Sequence, residues 1–590
     1  MAQTFTTAAM GNAANDGSGN GLRTGGLKIA ADLTELYEDV AALAADVEDI
    51  QNHQELPEVF VEERFFYDTS GKGHVLTQNL MYDVNVGPVC YFYEGTYRRF
   101  YFAYFEGRKD VTGSVRSGGY ENKTWINYYD IDTKTFGVPI SLTELYPDSD
   151  DVHSIPAIIV ADDGRILVFK DDLDFTGAPG IHNAHIEVWK SDTAEDISAF
   201  TKVALVGDYT PELAFAYPRV FKLTDGTLFL YVRDKISGEE RYHSIMKSED
   251  DGETWTDLED VEGRTIVADY TTAGWFLYHR FCYATKANGI NIIFNPRHAT
   301  SAQGLKALYF AHSDDGINWE NARQYVEGSG GYSHDVITSG NLEKTDLDTN
   351  YAVDVSVLGT ADTSLNGIKG CIGVDGIPYI IGFQNPANTI PKINKVSNFY
   401  LYHYDVTTHA WIKTDILAAL ARSGSKYNFN NIYGNNGHIV SYGSGKVDIV
   451  VNVIEDIYNL MTGETIKATG STTPGIIYRV VTTEVNHFGT GVVVDDIIRS
   501  ASAFVCDANN TVVAMKSVPM LFRTEDYGVT FQYVNLDNVY NKHGVGWGTI
   551  AANFNFLDSK QMLLMCAVSE STDFETIDHS NMMCFHSKIK

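Results

Sequence analysis

Basic residues are scarce: 44 Lys and Arg stand against 77 Asp and Glu in 590 residues, a formal net charge of −33. A surface this acidic repels phosphate backbones and anionic lipid headgroups, which argues against nucleic acid and membrane partners. No apolar run approaches the roughly 20 residues of a membrane span, so no membrane insertion is expected. Met1–Met10 has neither a basic start nor a long apolar stretch, so it reads as no secretory signal. The chain is therefore expected to be made in the cytoplasm, even if it acts elsewhere. Only six cysteines occur (Cys90, Cys282, Cys371, Cys506, Cys566 and Cys584), with no CxxC and no paired spacing. They read as buried free thiols rather than a disulfide framework or zinc knuckle. Disorder is excluded as well, because 44% hydrophobic and 12% aromatic residues are ample for a core.

Helical periodicity is confined to one place. Residues 11–26 (GNAANDGSGNGLRTGG) have a loop composition. After them Ile29, Leu33, Leu36, Val40, Leu43, Val47 and Ile50 recur at steps of four and three, a heptad seam favouring self-association over a lone amphipathic helix. Valines and isoleucines share the seam positions, so the seam does not choose between dimer and trimer. Residues 1–55 thus form a segment with a helix over 28–55, and 56–590 the remainder.

The stretch Asn15-Asp16-Gly17-Ser18-Gly19-Asn20-Gly21-Leu22-Arg23-Thr24, followed by Lys28-Ile29 and Leu33-Thr34-Glu35-Leu36-Tyr37, resembles a segment near the start of bacteriophage tail fibres, spikes and baseplate-attached proteins. It departs from that pattern at Ala30 and at Asp32-Leu33. The resemblance implies attachment to other phage tail or baseplate proteins through residues 1–55, a homo-trimer, and a location on the virion.

Beyond Leu56 a turn followed by an apolar strand recurs, at Asp163-Gly164, Asp225-Gly226, Asn288-Gly289, Asp375-Gly376, Ser444-Gly445 and Asn509-Asn510. Glu94-Gly95 and Asp558-Ser559 are weaker members, and Ile416–Ala421 is one short helical candidate. Intervals of mostly 60–70 residues suit four-stranded propeller blades. The expected fold is all-β, a β-propeller of seven blades with eight as the alternative, preceded by the short coiled-coil segment. Ser248-Glu-Asp250-Asp-Gly252-Glu-Thr254-Trp255 fits the Asp-box pattern SxDxGxTW. His312–Trp319 and Thr524–Phe531 are looser copies, and Tyr129-Asp130 and Tyr404-Asp405 begin a sister pattern. In such a box Asp and Gly make a tight turn and the aromatic pins it to the sheet, which is a structural role.

Asp boxes occur on glycosidases and lyases alike, so they choose no reaction. The chain lacks the Arg-Ile-Pro expected of a sialidase, and Arg523 falls inside an Asp box. More informative are His153, three residues before Pro156, then Ala216-Tyr217-Pro218-Arg219 with Arg233 closing the next strand, then Tyr283 and His298. Each is a polar or ionisable residue before a strand pair or at its end, and in a propeller these ends gather on one axial face. Any one alone is more simply a packed core residue; the recurrence is what argues for a site.

Residues 88–320 resemble the BNR-repeat propeller family that includes ulvan lyases. The resemblance implies catalytic roles for His153, Tyr217 and Arg233. It implies substrate-binding roles for His182 or His185, Arg219, Tyr283 and His298. Val152, Ser154 and Phe281 depart from the family pattern. Eliminating a 4-linked uronate requires screening its carboxylate, removing the C5 proton and protonating the departing O4. Arg233 suits the first task as a fixed cationic fork, and His153 and Tyr217 suit the proton transfers, with acid and base unassigned. The reaction requires no cofactor, and the sequence names no metal. Two functions stay open: a depolymerase of acidic host-surface polysaccharide, or a receptor-binding propeller without catalysis, with a sialidase-type glycosidase a more distant third.

Overall fold

The computed structural model describes residues 63–68, 90–108, 121–142, 156–171, 186–206, 216–236 and 240–257. It further describes 268–269, 275–298, 307–316, 318–328, 342–343, 351–354, 363–386, 398–422 and 432–456, then 470–471, 477–483, 497–499, 505–507, 509–535, 550–569 and 580–588. All lie in one compact unit, Glu58–Lys590. The heptad seam, the phage-like segment and the boundary at residue 55 lie outside the described residues.

Seven antiparallel strand groups follow one another among the described residues. The first runs Cys90–Glu94, Arg98–Arg108, Glu121–Asp130 and Thr135–Phe136; the second Ala157–Val160, Ile166–Asp171, Ile186–Ser191 and Phe200–Val206. The third is Ala216–Lys222, Leu228–Ile236, Glu240–Ser248 and Thr256–Asp257; the fourth Trp275–Tyr283, Ile290–His298, Leu308–Ser313 and Ala352–Asp354. Thr363–Ile372, Pro378–Pro386, Asn398–Asp405 and Ala410–Asp415 make the fifth. The sixth is Ile432–Gly443, Lys446–Asp456, Thr511–Thr524 and Gln532–Asn535. Ile550–Ala552, Gln561–Ser569 and Ser580–Lys588 begin the seventh, whose fourth strand comes from the far end of the chain. Glu63–Asp68 pairs antiparallel with Ser580–Lys588, Glu63 opposite His586 and Asp68 opposite Asn581.

These strands read as unbroken apolar runs, such as Ala157–Val160 and Leu228–Val232, because both faces of each sheet are covered. The cores accordingly lie between neighbouring groups. Leu167 and Phe169 of the second share a cluster with Leu228 and Leu230 of the third. Leu563 and Met565 of the seventh pack with Phe92 and Phe100 of the first. Among the described residues no helix is long and apolar enough to cross a membrane. Cys90, Cys282, Cys371 and Cys506 are buried and free.

The Ser248 box folds as its residues demand. Asp250 Oδ1 accepts from Thr254 N (2.9 Å) and Ser248 Oγ (2.9 Å), Ser248 Oγ accepts from Gly252 N (3.0 Å), and Trp255 Nε1 donates to Gly252 O (3.1 Å). Gly252 has φ +85°, and a Cβ there would strike Leu167 of the neighbouring group, so glycine is required. Trp255 then meets Phe169 edge-on. The copy near Trp319 is one residue shorter than its sequence suggested. Ser313 and Asp315, rather than His312 and Asp314, accept from Gly316 N (2.8 Å) and Asn318 N (2.7 Å).

One expected strand-pair turn is corrected. Asn509-Asn510 does not open a strand group; it closes a small turn with Asp507 that leads into the long strand Thr511–Thr524. The reason is an insertion between Asp456 and Thr511, which separates the second and third strands of the sixth group and displaces the turn from the repeat. Two short helices also carried no expectation: Ala322–Glu327, capped by Asn321, and Phe556–Ser559.

Candidate functional site

Each first strand runs from an open end to the hairpin turn that joins it to the second. Carboxylates tie hairpins of different groups together. Glu195 accepts from Thr96 N (2.8 Å) and Tyr97 N (2.9 Å), Asp375 from Ser444 N (2.8 Å), and Asp558 from Lys286 N (3.0 and 3.1 Å). The hairpin ends of these groups therefore lie together, and the opposite, open ends face the other way.

Tyr217 and Arg233 stand at the open end of the third group. Ala216 is the Cα partner of Arg233 and Arg219 that of Tyr231, three steps on one strand against two on the other. The extra residue is a β-bulge at Tyr217-Pro218, where proline has no N–H to give the ladder, and such bulges re-aim side chains at sheet ends. His298 reaches the same end of the fourth group by register. Arg233 pairs with His243, Arg241 with Phe276, Phe276 with Arg297, and Trp275 with His298. His153, His182 and His185 lie outside the described residues.

Two expected residues stand elsewhere. Tyr283 ends the strand that Trp275 begins, beside the hairpin, about 25 Å from the His298 end at roughly 3.3 Å per residue. Its ring meets His438 (5.0 Å, 67°) and Phe556 (5.1 Å), and its Cα partner in the fifth group is Cys371. Repeat position suggested convergence, but the strand direction carries Tyr283 away from the open end. Arg219 is 1% exposed, enclosed within the third group rather than presented at its end. The bulge explains this: it turns over the strand between Tyr217 and Arg219. Lys369, 7% exposed, occupies the matching place after the bulge in the fifth group.

The sequence did not single out the hairpin-end cleft. Tyr91, Phe221, Lys222, Lys286, Phe554 and Asp558 line it, and its volume of about 20 Å³ has room for a water rather than a sugar ring. Burial pulls the Lys222 ammonium's pKa down, although its Nζ donates to Val160 O (3.1 Å) and pairs with Asp162. Burial raises the Asp558 carboxyl despite the Lys286 N–H bonds. The available signal was a lysine two or three residues before the turn in two successive repeats, Lys222 and Lys286. Among the described residues no group of three or more His, Cys, Asp or Glu is placed to hold a metal ion.

The family described as BNR repeat-containing matches residues 99–419, more than half of the chain and the span of its first five strand groups. The chain belongs to this family. Among curated protein sequences none matches. Solved structures similar to this BNR-repeat chain include a PL25 ulvan lyase bound to -[GlcA(1-4)Rha3S]-, at 11% identity and a TM-score of 0.48, covering 86% of this chain and 93% of that one. The polysaccharide lyase Uly1 is 12% identical with a TM-score of 0.48, covering 91% and 98%. A Hadza microbial sialidase is 13% identical with a TM-score of 0.33, covering 66% of each chain.

Proposed function

We propose that this BNR-repeat chain is a seven-bladed propeller that binds an acidic, uronate-containing polysaccharide at its open face and cleaves it by β-elimination. The observation that carries the reading is the Ala216–Arg233 register, which brings Tyr217, on its bulge, and Arg233 to one strand end, with the His298 end alongside. Arg233 neutralises the uronate carboxylate and so acidifies C5–H. One of His153 and Tyr217 takes the C5 proton, the C4–O4 bond breaks as the C4=C5 double bond forms, and the other protonates O4. The residues for these steps are all side chains, and none of the steps needs a cofactor. In this reading residues 1–55 attach the propeller, as a trimer, to a phage tail.

The test is incubation of the purified chain with 4-linked uronate polysaccharides while ultraviolet absorbance is followed. Elimination creates an unsaturated uronate and a rising signal. Tight binding with no absorbance would instead make the chain a receptor-binding propeller.

A further inference from the structure

The insertion in the sixth group builds a second wall at the open end. Lys446–Asp456 runs away from the hairpin and stops at Asp456, whose partner in the third strand is Met515. The third strand begins earlier, at Thr511, so Thr511–Ala514 projects past the end of its neighbour by about 14 Å at roughly 3.4 Å per residue. Those four residues pair with Tyr478–Thr482 of the strand Ile477–Thr482, which in turn pairs with Ile497–Arg499. The projecting sheet is therefore continuous with one 14-residue strand of the group below. Its position is fixed by a ladder rather than by a loose connection.

The two faces of this sheet differ. Val480 and Val512 are opposite one another and fully buried. By the two-residue alternation of strands, Ile477, Arg479, Ile497, Arg499 and Val513 fall on the other face. Arg479 pairs with Ile497, and Arg499 with Ile477, so the two arginines are diagonal neighbours, about 7–8 Å apart. No carboxylate occupies a paired position on that face. In a chain of net charge −33, this is a local concentration of the sign the rest of the molecule lacks.

We infer that Arg479 and Arg499 form an accessory subsite that holds an acidic group of the polysaccharide away from the reacting sugar. Arginine forks grip carboxylate or sulfate in two-bond geometry, and a pair at this spacing suits one anionic substituent or two on successive sugars. The assignment rests on the acidic-polysaccharide reading above and adds a specificity determinant to it. Binding would be measured for a 4-linked polyuronate and its carboxyl-reduced neutral counterpart, with the wild-type chain, Arg479→Gln/Arg499→Gln and Arg479→Lys/Arg499→Lys. The Gln pair should lose on the order of tenfold affinity for the acidic polymer and little for the neutral one, with unchanged thermal unfolding. The Lys pair should fall between, and should show the same order if the Gln pair folds poorly. Wild-type affinity and acid preference in both variants would overturn the subsite while leaving the elimination site standing. A wild-type chain indifferent to the carboxylates would overturn both readings together.

Discussion

The His438 imidazole meets the Tyr283 ring edge-on with centroids 5.0 Å apart, and neither of its ring nitrogens is hydrogen-bonded. Burial, helped by the Lys369 charge, pushes its pKa down to about 3. In the unfolded chain a histidine titrates near 6.5. Between these values the unfolded state takes up a proton that the fold refuses, so stability falls as pH drops from about 6.5 towards 3. The slope from this one group approaches roughly 1.4 kcal/mol per pH unit. His438→Phe keeps a ring against Tyr283 and Phe556 and removes the titration. Denaturant unfolding at pH 7.5 and pH 5 should show the wild-type chain losing more stability than the variant; equal losses would rule the mechanism out.

Variants at the open face should fail in different ways. Arg233→Lys retains a charge but loses the fork, and should weaken both affinity and rate. Tyr217→Phe and His153→Ala should leave binding largely intact while lowering turnover by on the order of 10²–10⁴-fold. Steady-state kinetics on the polymer separate these patterns. Full activity in His153→Ala would end the proposed division of labour.

Asp250 offers a control away from the chemistry. Burial disfavours its charge, but hydrogen bonds from Thr254 and Ser248 outweigh burial and hold its pKa below the ordinary carboxylate value. A depressed carboxylate stabilises the fold above its unfolded pKa and loses that contribution as pH falls through the folded one. Asp250→Ala should therefore lower stability by about 1–3 kcal/mol at neutral pH, less in acid, with unchanged kcat. A variant that loses turnover but not stability would contradict the structural role of the box.

Truncation tests the closing strand. Removing residues 1–55 keeps Glu63–Asp68 and should leave cooperative unfolding intact. Removing residues 1–69 deletes the partner of Ser580–Lys588, exposes that strand as an edge, and should produce aggregation or a lower melting temperature. Identical melting of the two truncated chains would show that the closing pair contributes nothing.

The strand groups were legible because each repeats a local signal, a turn pair followed by an apolar run, as at Asp225-Gly226 before Leu228–Val232. What escaped depends on distance or direction. Glu63–Asp68 finds its partner more than 500 positions later, and no local pattern announces that. Asn321-x-x-Gln324, a capping box with both hydrogen bonds formed, did announce the helix Ala322–Glu327, but in four residues it was too short to stand out. At the site, residue types and repeat offsets pointed to Tyr217, Arg233 and His298. The same offsets misplaced Tyr283, because spacing along the chain does not tell which end of a strand a residue occupies.

The pairing of Glu63–Asp68 with Ser580–Lys588 also sets a timetable. During synthesis the early strand leaves the ribosome with no partner in existence and waits for roughly 500 further residues. At about 5–20 residues per second that is on the order of half a minute to two minutes as an open edge. Six of the seven strand groups have all their strands before the ring has its clasp, and the last residues translated are the ones that fasten it. Nascent chains halted short of residue 580 should accordingly be cut by protease near residues 63–68, and released full-length chains should not.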